Sequence, residues 1–123
     1  SEKKALLVSK FEDLKLGQLI EGKVLAVKPY GFFIDLGGAS GLLHQSSLTN
    51  GSIRSLREVF VEGEIIKALI TEIDLERGRI GLNTALLESS PGELIIDKEK
   101  VMIEASERAL KTKSLFDKKD LEK

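Results

Sequence analysis

A small β-barrel followed by a helical extension is the fold class this chain predicts, on three observations. Between Leu14 and Leu87, five short apolar-rich runs are punctuated by glycine-bearing turns, the pattern of a small closed sheet. The residues within these runs alternate, so neighbouring side chains point to opposite faces of a strand. After Glu88 the spacing of apolar residues changes to that of a helix.

The elements follow in order. Gly17 to Lys28 reads as the first strand, and Gly22 inside it marks an expected bulge or bend. Pro29-Tyr30-Gly31 is a turn signal, and Phe32 to Leu36 is the second strand, closed by Gly37-Gly38. Ser40 to His44 is a short third strand. Ser46 to Val61 is irregular, with room for short helical turns. Glu64 to Asp74 is the longest strand, Glu76-Arg77-Gly78 a hairpin turn, and Arg79 to Asn83 the fifth strand. Ser90-Pro91-Gly92-Glu93 has capping-box spacing with proline at the first helical position, and Asp97 offers a second helix start. Val101, Met102, Ala105, Ala109 and Leu110 then form a narrow apolar stripe, and fraying is expected beyond Lys113. The expected organisation is a linker or helical turn over residues 1–13, the barrel over 14–87, and a helical extension with a charged tail over 88–123.

Composition narrows the function classes. The chain has 123 residues, 41% hydrophobic and 32% charged, which suits one folded domain with an appendage. No run approaches the roughly 20 apolar residues of a membrane span, and Ser1-Glu2-Lys3-Lys4 opens no secretory signal, so no membrane partner is expected. Ser1 in place of methionine suggests a processed, tagged or excised chain, so a longer natural protein is one expectation. With no cysteine and one histidine, disulfides are excluded and a metal centre lacks a second soft ligand. No serine lies in a nucleophile elbow. The carboxylate pairs Glu62/Glu64 and Asp74/Glu76 sit at hairpin positions, where nothing would desolvate them. Gly37-Gly38 lacks the following Gly-Lys-Ser/Thr of a phosphate loop. No catalysis, cofactor or small-molecule substrate is therefore expected.

The aromatic residues carry the functional signal. Tyr30, Phe32 and Phe33 are three of the chain's six Phe and Tyr residues. If Phe32, Ile34 and Leu36 face the core, Phe33 and Asp35 face outward. An outward ring on a strand beside a tyrosine at the turn wastes apolar surface unless a ligand stacks on it. Small barrels bind single-stranded nucleic acid in this way, with rings for bases and basic side chains for phosphates. Lys23, Lys28, Lys67, Arg77 and Arg79 are the candidate cations. The net charge of −1 argues against tight non-specific binding, and modest, micromolar-scale affinity is expected.

In order, Gly22-x-Val24, Tyr30-Gly31-Phe32-Phe33-Ile34-Asp35-Leu36, Gly41-Leu42-Leu43-His44, Asp74 and Gly78-Arg79-Ile80-Gly81-Leu82 resemble the S1-type RNA-binding domain. The resemblance implies a five-stranded antiparallel barrel of the OB fold whose RNA surface comprises Tyr30, Phe33, His44, Asp74 and Arg79. Tyr30 and Phe33 would stack on bases, His44 would stack or hydrogen-bond, and Arg79 would hold a phosphate or base edge with Asp74 fixing it. Two departures stand out: Asn83 replaces the family's usual serine, and Gly81 replaces a residue with a side chain. The flanks, Lys10-Phe11-Glu12-Asp13-Leu14 and Leu87-Glu88-Ser89-Ser90-Pro91-Gly92-Glu93, resemble the last barrel of cyanobacterial and plastid-type ribosomal protein S1. That narrower resemblance implies messenger-RNA binding in translation, contacts with small-subunit proteins, and a place on ribosomes of the cytoplasm or the plastid stroma. Two rival readings remain open: a protein-docking or spacer barrel among tandem S1 domains, and an RNA-feeding accessory of a nuclease.

Overall fold

The computed structural model describes residues 14–121, so the expected linker over residues 1–13 lies outside it. Five strands, β1 (Leu19–Lys28), β2 (Gly31–Asp35), β3 (Ser40–His44), β4 (Ile65–Asp74) and β5 (Arg79–Asn83), close into a barrel in the order β1-β2-β3-β5-β4. Short 3₁₀ turns at Gln45–Ser47 and Leu56–Glu58 lie in the β3–β4 connection, and a third at Ala85–Leu87 leads from β5 to three helices: α1 (Glu93–Ile96), α2 (Lys98–Ile103) and α3 (Ala105–Leu121).

The pairings are antiparallel except β3 with β5, which is parallel. The expected five-stranded barrel forms, mainly antiparallel, and its one parallel junction follows from a counting constraint. Directions cannot alternate all the way round a closed ring of five strands, so at least one neighbouring pair must run in parallel.

Phe32, Ile34 and Leu36 are buried as the alternation requires. Phe32 meets Phe60 edge-to-face at 5.4 Å between centroids, with Leu43, Ile66, Ile70, Ile80 and Leu82 completing the barrel interior. Each such side chain contributes about 1.5–3 kcal/mol on burial.

The bulge expected at Gly22 is displaced. Gly22 is regularly paired, and a Cβ there would stand 2.5 Å from Ile34 Cγ2, so its role is close packing of β1 on β2. The irregularities occur between Val24 and Ala26 on β1 and between Ile70 and Glu72 on β4, leaving Leu25 and Thr71 as the extra residues. Both have large consequences. Ile20, Gly22 and Val24 point inward, and period two would send Ala26 and Lys28 inward as well. After the extra residue, Ala26 stands opposite the outward Phe33, and Lys28 is exposed. On β4, Ile66, Ala68 and Ile70 point inward, and the bulge turns Glu72 to the outside.

The helical extension is held by polar contacts that the sequence hides. Glu88 accepts hydrogen bonds from Thr49 Oγ1 (2.6 Å), the Asn50 amide (2.8 Å) and the Leu94 amide (2.8 Å), tying the β3–β4 connection to α1. Lys98 Nζ bonds the Val59 carbonyl at 2.8 Å, pairs with Glu64 at 2.7 Å and lies 5.3 Å from the Phe60 ring centre. The expected capping box at Ser90 does not form. The residue before α1 is Gly92 at φ 84°, and the Glu93 carboxylate accepts from the Ser89 amide at 2.8 Å and from Arg108. Asp97 does cap α2, through the Lys100 amide at 3.3 Å.

Arg108, one turn into α3, is buried and bidentate on Glu93 at 2.6 and 3.0 Å. It also donates to the Leu87 carbonyl at 2.9 Å and to Glu104 at 3.0 Å. The expected apolar stripe is therefore only partly the packed face: Val101 and Ala105 are buried, whereas Leu110 points to solvent and Arg108, Thr112 and Phe116 point inward. The helix continues past Lys113, the point after which fraying is expected. Phe116 packs on Gly17, where φ is +84° and a Cβ would lie 2.6 Å from the ring, so the helix runs on to Leu121.

The Arg108 guanidinium holds the Glu93 carboxyl at a pKa of about 2, below its ordinary 4.5. A depressed folded-state value contributes stability that is present above pH 4.5 and lost as pH falls towards 2. Wild-type protein is thus expected to lose on the order of 3 kcal/mol from this pair across that window. Glu93→Gln will be less stable at neutral pH, and its urea midpoint will fall less steeply between pH 5 and pH 2.5. Parallel pH profiles for the two proteins would show the pair to be unimportant.

Candidate nucleic-acid interface

The outward row across the sheet is Ala26, Phe33, Leu42, Gly81 and Glu72, each opposite the next in register. Phe33 is half-buried, and the Tyr30 ring stands against it at 6.1 Å and 78°, an edge-to-face pair. Gly31 lets this happen. At φ 157° its Cα lies so close to β3 that any Cβ would run into the Leu43 carbonyl. The Tyr30 carbonyl is held in turn by the Gln45 amide at 2.9 Å. Lys28 Nζ sits 5.9 Å from the Phe33 ring centre, within cation–π range.

Two adjoining depressions flank this row. One, of about 430 Å³, is lined by Lys28, Phe33, Leu42, Arg77 and Arg79 among others. The second, of about 280 Å³, includes Leu42, His44, Glu72, Arg79 and Gly81. Leu42 and Arg79 border both, so the face is one continuous trough. Among the described residues, none of α1, α2 or α3 lines either depression.

His44 ends β3 with a defined proton arrangement. Its Nδ1 accepts the Ser46 amide at 3.1 Å and lies 2.8 Å from Ser46 Oγ. Because Nδ1 carries the accepting lone pair, the neutral ring has its proton on Nε2, and that N–H is free to donate to a ligand.

The structure therefore gathers Tyr30, Phe33, His44, Lys28, Arg77 and Arg79 on one face and separates two other candidates, Lys23 and Lys67, from it. Lys23 lies towards the far end of β1, opposite Asp35 and Ile65. Lys67 pairs with Glu21 on β1, and its backbone N–H donates to Met102 Sδ at 3.3 Å, which places it beside α2. Both lie away from the trough for the same reason: β1 and β4 are long, and their early residues pass round the barrel from the aromatic row.

Asp74 is close to Arg79 in register but does not fix it. Its carboxylate accepts the Arg77 amide at 3.2 Å and faces Arg77 Nε at 3.7 Å, closing the β4–β5 hairpin. Arg79 has no ion pair among the described residues. The expected orienting role is corrected: cross-strand neighbours need not bond when a turn amide offers the carboxylate a nearer donor. Asn83 acts locally, accepting the Leu86 amide at 2.9 Å. Leu42 and Glu72 escaped the sequence reading. Alternation places Leu42 beside Phe33, whereas the bulge at Thr71 conceals the outward turn of Glu72.

The profile of the S1 RNA binding domain matches residues 13–85. The chain belongs to the S1 RNA-binding domain family. Among curated proteins, it is 41% identical over 109 residues to small ribosomal subunit protein bS1 of Synechococcus sp., covering 89% of this chain and 36% of that protein. It is 42% identical over 109 residues to bS1A of Synechocystis sp., covering 89% and 33%. For bS1c of Spinacia oleracea the identity is 38%, covering 89% and 26%. The chain thus spans about a quarter to a third of the length of these relatives. Among solved structures, GSP13 of Bacillus subtilis superposes with a TM-score of 0.59 at 28% identity, covering 64% of this chain and 62% of that one.

Asp74→Asn is expected to loosen the hairpin by about 0.5–1.5 kcal/mol while leaving RNA affinity equal to wild type or slightly tighter, since a negative charge is lost. Fluorescence anisotropy with a short RNA would contradict the hairpin role if Asp74→Asn weakened binding as much as Arg79→Ala.

Proposed function

We propose that this S1 barrel binds single-stranded RNA without catalysis, along the trough that runs past Tyr30, Phe33, Leu42 and His44. The observation that carries the proposal is the Tyr30–Phe33 pair: two rings kept at the surface by a glycine turn, with Lys28 against one of them. Bases stack on the rings, Arg79 and Arg77 meet phosphate or base edges, and the His44 Nε2–H donates to an acceptor on the RNA.

The similarity to bS1 proteins of cyanobacteria and a plastid supports a finer reading. In that reading the barrel contributes to messenger-RNA capture during translation, alongside small-subunit proteins, on ribosomes of a cytoplasm or plastid stroma. The trough supports RNA over protein docking, because among the described residues the helical extension does not line the aromatic face.

Phe33→Ala is expected to weaken binding to a short unstructured RNA by about 1–3 kcal/mol, with the thermal midpoint nearly unchanged. A collapse in stability with unaltered affinity would make Phe33 a core residue and overturn the reading. The three trough cations, Lys28, Arg77 and Arg79, at about −0.7 each on single strands, give a log–log salt slope of about −2. Titrations between low and moderate salt measure it directly, and a slope of zero would exclude phosphate engagement.

A further inference from the structure

We infer that Glu72 is a base-reading residue and that the pocket beside it prefers guanine. The inference rests on the RNA-binding reading and deepens it.

A carboxylate on an RNA-binding face is an electrostatic liability, since it repels phosphate. Yet Glu72 is turned onto this face by a dedicated irregularity, the extra residue Thr71, without which it would share the inward side with Ile66, Ala68 and Ile70. It stands opposite Gly81, in the same outward row as Phe33 and Leu42. A Cβ on Gly81 would lie 2.8 Å from Glu72 Cβ and 3.4 Å from Glu72 Oε1. The Glu72 side chain therefore occupies the space that the missing side chain leaves, with a carboxylate oxygen lying over β5. Glu72 is exposed, and it has no ion pair among the described residues.

The remaining walls of the 280 Å³ pocket give the chemistry of the ligand. Leu42 offers an apolar floor on which a base can lie. His44 presents its Nε2–H, because Nδ1 is engaged by Ser46. Arg79 presents a guanidinium without an ion pair among the described residues. The pocket thus sets a double acceptor, the carboxylate, near two sets of donors. Guanine offers adjacent N1–H and N2–H donors that match both oxygens of one carboxylate. On its other side it offers O6 and N7 acceptors, which suit an arginine or an imidazole N–H. Uracil, adenine and cytosine cannot offer a carboxylate two donors from neighbouring ring positions. Stacking on Phe33 discriminates little between bases, so whatever preference exists arises at this pocket.

The test uses uridine pentamers in which the central nucleotide is uridine, adenosine, cytidine, guanosine or inosine. The wild-type chain is expected to bind the guanosine pentamer roughly tenfold more tightly than the uridine one. Inosine, which lacks the N2 amino group, should fall between them. Glu72→Gln, which offers one acceptor instead of two, should abolish the preference while keeping or improving affinity for the uridine pentamer, because an anion is removed. Gly81→Ser, which crowds Glu72, should also reduce the preference. Equal wild-type affinity for all five pentamers, with Phe33→Ala still weakening each, overturns the guanine inference and leaves RNA binding standing. A preference that survives Glu72→Gln overturns it as well. No binding to any pentamer by wild type would overturn the RNA-binding reading itself.

Discussion

Closure of five strands into one ring is the constraint on which the rest of the molecule depends. It forces one parallel junction, between β3 and β5, and it leaves an interior that must be filled entirely by alternating apolar side chains. Strict alternation along the long strands β1 and β4 would then carry Lys28 and Glu72 into that interior. The extra residues Leu25 and Thr71 break the alternation once on each strand, at the level of the aromatic row. The same two irregularities that bend the strands around the barrel therefore compose its outer face. Core and site are two readouts of one register.

The helical extension acts from the opposite direction. Arg108 is neutralised by Glu93 and Glu104 and held to the Leu87 carbonyl. Glu88 gathers the 49–50 loop and the start of α1. These contacts fasten the extension to the end of β5 and to the connection between β3 and β4, away from Phe33. A buried bidentate pair is poor value as stability in isolation, since desolvation offsets much of its attraction. Its geometry is directional, however, and that direction fixes where the helical extension sits on the barrel.

Much of this was legible in the residues. Strand positions followed from glycine punctuation, and the buried set Phe32, Ile34 and Leu36 followed from period-two alternation, which also predicted the outward Phe33. What stayed hidden is whatever depends on long-range competition for a polar group. Ser90 and Glu93 have capping-box spacing, but the carboxylate is claimed by an arginine 15 residues downstream. Asp74 and Arg79 face each other in register, but the hairpin amide of Arg77 takes the carboxylate first. Lys23 and Lys67 carry the right charge, and only the wrapping of β1 and β4 shows that they lie elsewhere. Leu110 has helical spacing yet points to solvent, because Arg108 occupies the inward position on that turn.

Residues 14–87 carry eight Lys and Arg against eight Asp and Glu, and that neutral sum reads differently once the charges have positions. A neutral sum over residues 14–87 implies weak phosphate attraction only if the charges are evenly spread. Here Lys28, Arg77 and Arg79 border the trough, whereas Glu64 is consumed by Lys98 and Asp74 by the hairpin. Within the trough the exception is Glu72, and an exception maintained by a bulge on its own strand and a missing side chain on the next is not background charge. A face built only for phosphate would have left that position neutral or basic. One carboxylate among three cations lowers non-specific attraction and raises the contribution of the base itself, which shifts such a surface from holding any single strand towards distinguishing among them.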